Sequence, residues 1–409
     1  MDAYPATAIG TTTVAAVAGT LPAPAPSPSY APSPSPSPSP VAPRHAAGHP
    51  AGNDDRPAVD DLLIALVEQG GSDLHLTVDS PPMIRVHGDL RPLPGEATLT
   101  PSATEAVIRT LLSAEQWERF ESHREIDIAY DIPGVSRFRV NCFQQRNSYG
   151  AVMRAIPHTI KPLHELGVPS SIERFAYLPR GLVLVTGPTG SGKTTTLASL
   201  LDLANSTRRD HIVTIEDPIE FLHPHRRCIV NQREVGVDTS SFSEALKRVL
   251  RQDPDIILVG ELRDLETVST ALTAAETGHL VLATLHTQSA AQTIDRVIDI
   301  FPAHQQQEIR AQLSTALQGV LTQALVRKSD GSGRAVVCEV MFATPAIRNL
   351  IREGKNHQIP SFMQSGGADG MLTFDQDLAA KVIDGSISYA QGLELAHERD
   401  EFARLAGRR

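Results

Sequence analysis

The sequence predicts an α/β fold, a mostly parallel sheet with helices on both faces, preceded by a smaller α+β domain and a Pro-rich tail. Three observations predict it. Between Leu182 and Thr284, apolar runs of strand length alternate with segments of helical spacing. A glycine-rich loop lies between the first of those runs and the first of those helices. Ahead of residue 157, short alternating runs form a separate strand series around one long helical stretch.

Each element follows in order. From Leu21 to Pro50 the chain is dominated by Pro, Ala and Ser, which cannot build backbone ladders or bury a core, so residues 1–58 read as a disordered, solvated tail. Asp60 to Gln69 reads as a helix stopped by Gly70-Gly71. Asp73–Val78 and Met83–His87 read as strands, with Gly88-Asp89 a turn, and Pro101 to Phe120 has the apolar spacing of one helix. Ile126–Tyr130, Arg137–Phe143 and Gly150–Arg154 complete a small α+β domain over 59–157. A connector over 158–178 leads to the larger domain, 179–409, with strands at Leu182–Thr186, Ile212–Ile215, Ile256–Val259 and Leu280–Thr284. Ser241-Phe242-Ser243-Glu244 opens a helix as a capping box. Ala303 to Val326 and Pro345 to Gly354 read as amphipathic helices around a strand-like Ala335–Val340, and Phe374 to Ala406 as mainly helical.

Composition narrows the function. The 409 residues, 41% of them hydrophobic, leave room for two or three cored domains. A net charge of -10 argues against a surface built to neutralise phosphate backbones, so no nucleic-acid partner is expected. The three cysteines, Cys142, Cys228 and Cys338, stand too far apart for a zinc ribbon or a disulfide framework, which fits a reducing, cytoplasmic setting. No run approaches the roughly 18 to 20 apolar residues of a spanning helix, so membrane contact is expected to be peripheral or through a partner. Asp2, rather than a basic residue, precedes the mildly apolar stretch near the start, and no signal peptide is expected.

The chemistry is concentrated in four segments. Gly187-Pro188-Thr189-Gly190-Ser191-Gly192-Lys193-Thr194, followed by Thr195, is G-x-x-x-x-G-K-[ST] between a strand and a helix. Its glycines let backbone N–H groups wrap phosphates, while the helix N-terminus and Lys193 supply positive potential, so the chain is expected to bind a nucleoside triphosphate. Glu216-Asp217-Pro218-Ile219-Glu220 ends a strand in carboxylates, and Ile256–Val259 leads through Gly260 into Glu261, the apolar-strand-then-acid pattern of a Walker B segment. There the usual aspartate position is Gly260, which leaves the metal side to Glu261. His279 and His286 bracket the last strand. Phosphoryl transfer to water needs a cation, a water-orienting group and positive charge on the leaving oxygens. Arg85, Arg137, Arg139, Arg146 and Arg154 crowd the small domain, either as a solvated strand face or as fingers toward a neighbouring subunit.

Together these motifs resemble the Walker A, Asp box, Walker B and His box of the secretion and type IV pilus ATPases, whose Walker B is itself atypical at the position of Gly260. Ser72–Leu76 and Arg137–Asn141 extend the likeness into the small domain, and Ala346-Ile347-Arg348-Asn349-Leu350-Ile351-Arg352-Glu353 resembles the signature helix of the pilus retraction branch. The tetracysteine zinc module usual in the assembly and type II secretion branches has neither room nor cysteines here. The resemblance implies a PAS-like domain joined to a RecA-like P-loop ATPase domain, a homo-hexamer, and a Mg-dependent ATPase driving pilus retraction at the cytoplasmic face of the membrane. It implies an inner-membrane platform protein and other pilus ATPases as partners. ATP would be held by residues 187–195 and Mg²⁺ by Thr194 and Glu261. Glu216, Glu261 and His286 would be catalytic, Glu216 preferred over Glu261 for polarising the attacking water with the reverse assignment left open, and His286 sensing the γ-phosphate. His279 would link the site to the subunit interface, and Arg137, Arg139 and Arg154 would be candidate arginine fingers. Two rival readings are a RecA-like nucleic-acid motor and an accessory pilus ATPase that modulates another motor.

Overall fold

A computed structural model describes residues 59–407 other than His87, Pro157 and His158; the tail expected over 1–58 lies outside the described residues. Helix α1 (Val59–Glu68) buries Val59, Leu62, Leu63 and Leu66, the i, i+3, i+4, i+7 stripe that its sequence encodes. That stripe and α2 (Pro101–Leu111) pack on an antiparallel six-stranded sheet. Its strands are β1 (Asp73–Leu76), β2 (Met83–Val86), β3 (Asp89–Pro92), β4 (Glu125–Ile132), β5 (Ser136–Gln145) and β6 (Ser148–Ile156), in the order β3-β2-β1-β6-β5-β4. The strands alternate as expected. Phe138, Val140 and Cys142 point into the core, while Arg137, Arg139 and Asn141 line the opposite face. The stretch expected as one helix is two, because Ser113 starts α3 (Ala114–His123) with a reciprocal capping box to Gln116.

The larger domain is built on a seven-stranded sheet. Strands β7 (Gly181–Thr186), β8 (His211–Glu216), β9 (Ile229–Glu234), β10 (Ile256–Val259), β11 (Leu280–Leu285), β12 (Leu317–Arg327) and β13 (Arg334–Phe342) run in the order β13-β12-β7-β11-β10-β8-β9. All neighbours are parallel except β12 and β13. Helices α4 (Lys193–Thr207), α5 (Phe242–Val249), α6 (Leu265–Glu276), α7 (Ala290–Asp299) and α8 (Gln306–Ala316) contribute to the same core. Central strands are therefore buried on both faces and read as unbroken apolar runs: β7, β10 and β11 are buried at every position. The connector is more than a tether, since Leu163, Ile172, Phe175 and Ala176 join this core.

One expectation is overturned. Only Gln306–Ala316 of the helix expected over 303–326 is helical, and residues 317–327 form β12 between β7 and β13. Leu317, Val320 and Leu321 have helical spacing, but burial on both sheet faces overrides the periodicity. Gly319 marks the strand: a side chain there would meet the Phe175 ring at 2.6 Å and the Met341 carbonyl at 2.7 Å. The capping box expected at Ser241 is half formed, because Ser241 Oγ accepts from the Glu244 N–H while the Glu244 carboxylate pairs with Lys247 and Arg248.

Two joints fix the domain ends. Arg137 of β5 donates to Glu234 of β9 at 3.1 Å, an ion pair between the small domain and the edge of the large sheet. Helix α9 (Pro345–Glu353) buries Ile347, Leu350 and Ile351 in the chain's own core, and its Arg348 donates to the carbonyls of Ser314 and Thr315 and to Gln318 Oε1, capping α8. Beyond α10 (Ile359–Ser365), helices α11 (Phe374–Ile383), α12 (Tyr389–Leu395) and α13 (Arg399–Leu405) enclose a satellite core of Phe374, Leu378 and Phe402 against Val326 and Val337.

Glu339 of β13 is buried beneath this last joint. Its carboxyl accepts the first backbone N–H of α7, from Ala290 at 2.6 Å, and that of Phe374 at the start of α11. Burial pushes its pKa up to about 7, the two N–H donors oppose that rise, and nearby Asp375 adds to it. The folded form thus holds a proton that the unfolded chain gives up from about pH 4.3. The contribution of Glu339 to stability should therefore be fullest below that pH and fall, by on the order of 3 kcal/mol, as pH rises through 7. Thermal melts between pH 4.5 and 8 check this: Glu339→Gln should flatten the pH slope of this contribution, whereas an unchanged slope would contradict it.

Candidate nucleotide site

Because β7, β8, β10 and β11 are parallel, their C-terminal ends open on one edge of the sheet, and the glycine loop, Glu216, Gly260-Glu261 and His286 all lie at or just beyond those ends. The 187–194 loop follows β7, Glu216 ends β8, Gly260-Glu261 follow β10 and His286 follows β11. Residues 189–194 of the loop, Glu216, Gly260, Glu261 and His286 line one cleft of about 540 Å³, together with Thr195, Asp217 and Glu220.

The loop needs its glycines. Gly187, Gly190 and Gly192 have φ of 138°, 78° and 91°, in the left-handed region that favours glycine. At Gly187 a side chain would also stand 2.2 Å from the Gln323 carbonyl and 2.6 Å from Ser191 Oγ. Strand β12 holds the loop from below: Thr322 and Thr186 share a hydroxyl hydrogen bond at 2.9 Å, and Gln323 Nε2 donates to Thr196 Oγ1 on α4 at 2.9 Å. Lys193, the first residue of α4, donates to the carbonyls of Gly187 at 2.8 Å and Pro188 at 3.1 Å. Burial holds its pKa below the usual lysine range, against the pull of Glu261 and Glu220.

The two glutamates differ in kind. Glu216 is buried; Thr214 and Gln232 donate to its Oε1 at 2.6 and 3.0 Å. Desolvation raises its pKa; Thr214, Gln232 and the Glu220 N–H oppose this, while the Glu220 charge adds to it. Glu261 is pushed up by burial but held below the ordinary range by Arg263 and His286. Arg263 binds its Oε2 at 2.8 Å and reaches Asp217 at 3.9 Å, while His286 Nε2 lies 3.0 Å from its Oε1. His286 Nδ1 is 3.5 Å from the Lys193 ammonium, so the imidazole fits this chain of contacts with its proton on Nε2, donating to Glu261 and accepting from Lys193.

Other assigned residues lie elsewhere. His279 stands at the opposite end of β11 from His286, its ring against the Ala274 carbonyl and Thr277. Arg137 is engaged by Glu234 and Asp131 of its own chain. Arg139 lies 4.0 Å from Asp127, in a second cleft between the domains that also touches Asp217, and Arg154 pairs with Asp73 at 2.7 Å. Sequence reasoning gave no role to Thr214, Gln232, Arg263 or Arg334, which lines the cleft beside Leu325. Thr214 had a signal, since a residue two before Glu216 in a strand shares its face. Gln232, on an edge strand that was not foreseen, had none.

Oxygen donors from Thr194 and the ionised Glu261 beside Lys193 suit Mg²⁺, which is ordinarily held by one or two protein oxygens together with phosphate and water.

A parallel sheet that places a glycine loop and lysine opposite paired carboxylates defines the α/β class of nucleotide-hydrolysing ATPases. Within that class, residues 58–391 match the Type II/IV secretion system protein family, and the chain belongs to it. It is 52% identical over 344 residues to the type IV pilus retraction ATPase PilT of Pseudomonas aeruginosa, covering 84% of this chain and 99% of that one. It is 48% identical over 310 residues to a twitching motility protein of Neisseria gonorrhoeae, covering 75% and 82%. Among solved structures, the pilus retraction motor PilT with bound ADP matches at a TM-score of 0.80 and 42% identity, over 85% of this chain and all of that one.

The loop geometry has a direct test. Gly187→Ala should weaken ADP binding at least tenfold by calorimetric titration, because its side chain would meet the Gln323 backbone. Gly190→Ala, whose added atom meets nothing within 4 Å, should cost far less. Equal losses would show that backbone strain, not the β12 contact, governs the loop.

Proposed function

We propose that the chain is an ATP-hydrolysing motor that assembles as a homo-hexamer and powers type IV pilus retraction, and with it twitching motility. One observation carries the site reading: Lys193, His286, Glu261 and Arg263 form a single line of contacts across the cleft, with buried Glu216 beside it. The pilus reading draws on the 52% identity to a retraction ATPase over nearly its whole length. Its domain plan is a tail over 1–58, a PAS-like domain over 59–157, a connector over 158–178 and a RecA-like P-loop domain over 179–409. The antiparallel six-stranded sheet and the mostly parallel seven-stranded sheet support that plan.

In this reading the backbone of residues 187–193 and the Lys193 ammonium bind the β- and γ-phosphates of ATP, with Pro188, Thr189 and Thr195 completing the loop. Thr194 and Glu261 would hold Mg²⁺, which neutralises phosphate charge when bound. Glu216 polarises the attacking water: a carboxyl whose pKa is raised by burial is a stronger base once ionised than the salt-bridged Glu261. His286, between Lys193 and Glu261, senses the γ-phosphate. Arg139 and Arg154, on the exposed sheet face, are better placed than Arg137 to reach a neighbouring subunit. Closing of the two domains on ATP would carry force to an inner-membrane platform protein at the cytoplasmic face, alongside other pilus ATPases. Among the described residues no helix is long and apolar enough to cross a membrane.

Glu216→Gln should bind ATP normally and lose turnover by about 10²- to 10⁴-fold, whereas Lys193→Ala should lose ATP binding itself. Wild-type turnover in Glu216→Gln would transfer the water-activating role to Glu261. In a strain lacking the gene, the wild-type chain should restore twitching and Glu216→Gln should not. Single-stranded DNA should leave the ATPase rate unchanged; a salt-dependent rise would instead support a nucleic-acid motor.

A further inference from the structure

Glu216 reaches the cleft from a sheet face that it shares with three other polar side chains. Strands β8 and β9 pair in parallel with Thr214 opposite Gln232 and Glu216 opposite Glu234, and the two-residue period puts all four on the same face. The Thr214 hydroxyl and the Gln232 amide both donate to Glu216 Oε1, at 2.6 and 3.0 Å. The same Gln232 Nε2 donates to the Phe221 carbonyl at 2.8 Å, and its Oε1 accepts from the His223 N–H at 2.8 Å. One amide thus uses two donor contacts and one acceptor contact to tie the acid to the loop that leaves it. An apolar side chain of the same size makes none of these contacts, and a carboxylate would set a second negative charge against Glu216.

We propose that Gln232 is a positioning residue for Glu216: together with Thr214 it fixes Oε1, so that Oε2 is the oxygen presented to water in the cleft. The assignment rests on the reading of Glu216 as the water-polarising group. It goes beyond that reading by tying the orientation of the acid to the edge strand. The groups facing Glu216 are Thr214 and the Glu220 backbone N–H, which favour its ionised form as Gln232 does, the Glu220 carboxylate, which opposes it, and across the ladder the Glu234 carboxylate, itself paired with Arg137. Loss of either side-chain donor therefore raises the pH at which Glu216 ionises and loosens its aim.

The test is steady-state ATP hydrolysis by the full chain from pH 5.5 to 9, with ADP affinity and melting temperature measured alongside. In Gln232→Met and in Thr214→Val, kcat should fall about tenfold with KM for ATP changed less than about twofold. The acid limb of the kcat profile should move up by about one unit in each. Gln232→Met also cuts two bonds to the 217–228 loop; should it fail to fold, Thr214→Val, which removes a bond to the acid alone, decides the matter. A wild-type acid limb in both variants overturns the proposal. So does a lowered melting temperature with kcat and KM both impaired but the limb unmoved, which is what a merely structural glutamine would give. Glu216→Gln in the same series keeps the two ideas apart. If it retains turnover, the water-polarising assignment itself is wrong; if it loses turnover while Gln232→Met and Thr214→Val behave as wild type, only the positioning role is.

Discussion

The site depends on the parallel register of four strands. β8, β10, β11 and β7 are neighbours in one ladder, paired as Ile256 with Ile212, Ile256 with Leu280 and Leu280 with Gly181, so their C-terminal ends finish side by side. Residues up to a hundred positions apart in the chain become neighbours because each is placed at or just past a strand end. Covering both faces of such a sheet excludes water from its strands, and the polar groups are then confined to the edge where the backbone turns away. Glycine-loop amides, carboxylates and an imidazole share that edge because the fold offers them few other sheltered, partly open places. Lys193 and Glu216 are buried enough to have shifted pKa values and still line the cleft.

Charge within the cleft is sorted by partner rather than by distance from solvent. Glu261 keeps its negative charge because Arg263 and His286 occupy its two oxygens; Glu216 has neutral donors and no cation, so burial dominates. Two glutamates at the ends of adjacent strands thereby differ in kind, the carboxyl of Glu261 held below the ordinary range by its partners and that of Glu216 raised by burial. Edge strand β9 adds a mechanical element. Gln232 grips the acid, and two residues on Glu234 accepts from Arg137 of the small domain and from the Ile219 N–H. A movement of the small domain that pulled on Arg137 would act on the same strand that aims Glu216.

Much of this was legible in the sequence. The four central strands, the loop and the ends that carry Glu216, Glu261 and His286 were readable because doubly buried parallel strands are unbroken apolar runs and their polar termini stand out against them. What was not legible depended on context. Residues 317–326 have helical apolar spacing and become a strand only because β7 and β13 flank them, a fact that no local window contains. β9 carries Asn231, Gln232, Arg233 and Glu234, and nothing in that polar run announces a strand. The fate of Arg137 was hidden for the same reason, since its partner lies 97 residues on. Arg348 belongs here too: nothing in its own helix announces that it is spent on the carbonyls of α8.

Gly260 shows how such details combine. A side chain there would stand 3.2 Å from the Ile215 carbonyl and 3.4 Å from Glu216 Cα and the Phe242 ring. An aspartate at that position would crowd the β8–β10 ladder, where the Gly260 N–H itself donates to Ile215 at 2.8 Å. It would also bring a second carboxylate toward a buried one that has no cation to balance it, raising the pKa of Glu216 further. Glycine removes both conflicts and passes the acid to the next residue, where the chain has turned far enough for Arg263 and His286 to pair with it. The departure from the usual acidic strand end is therefore coupled to the burial of Glu216: a site that keeps one carboxyl unpaired and sheltered has to move the other away from it.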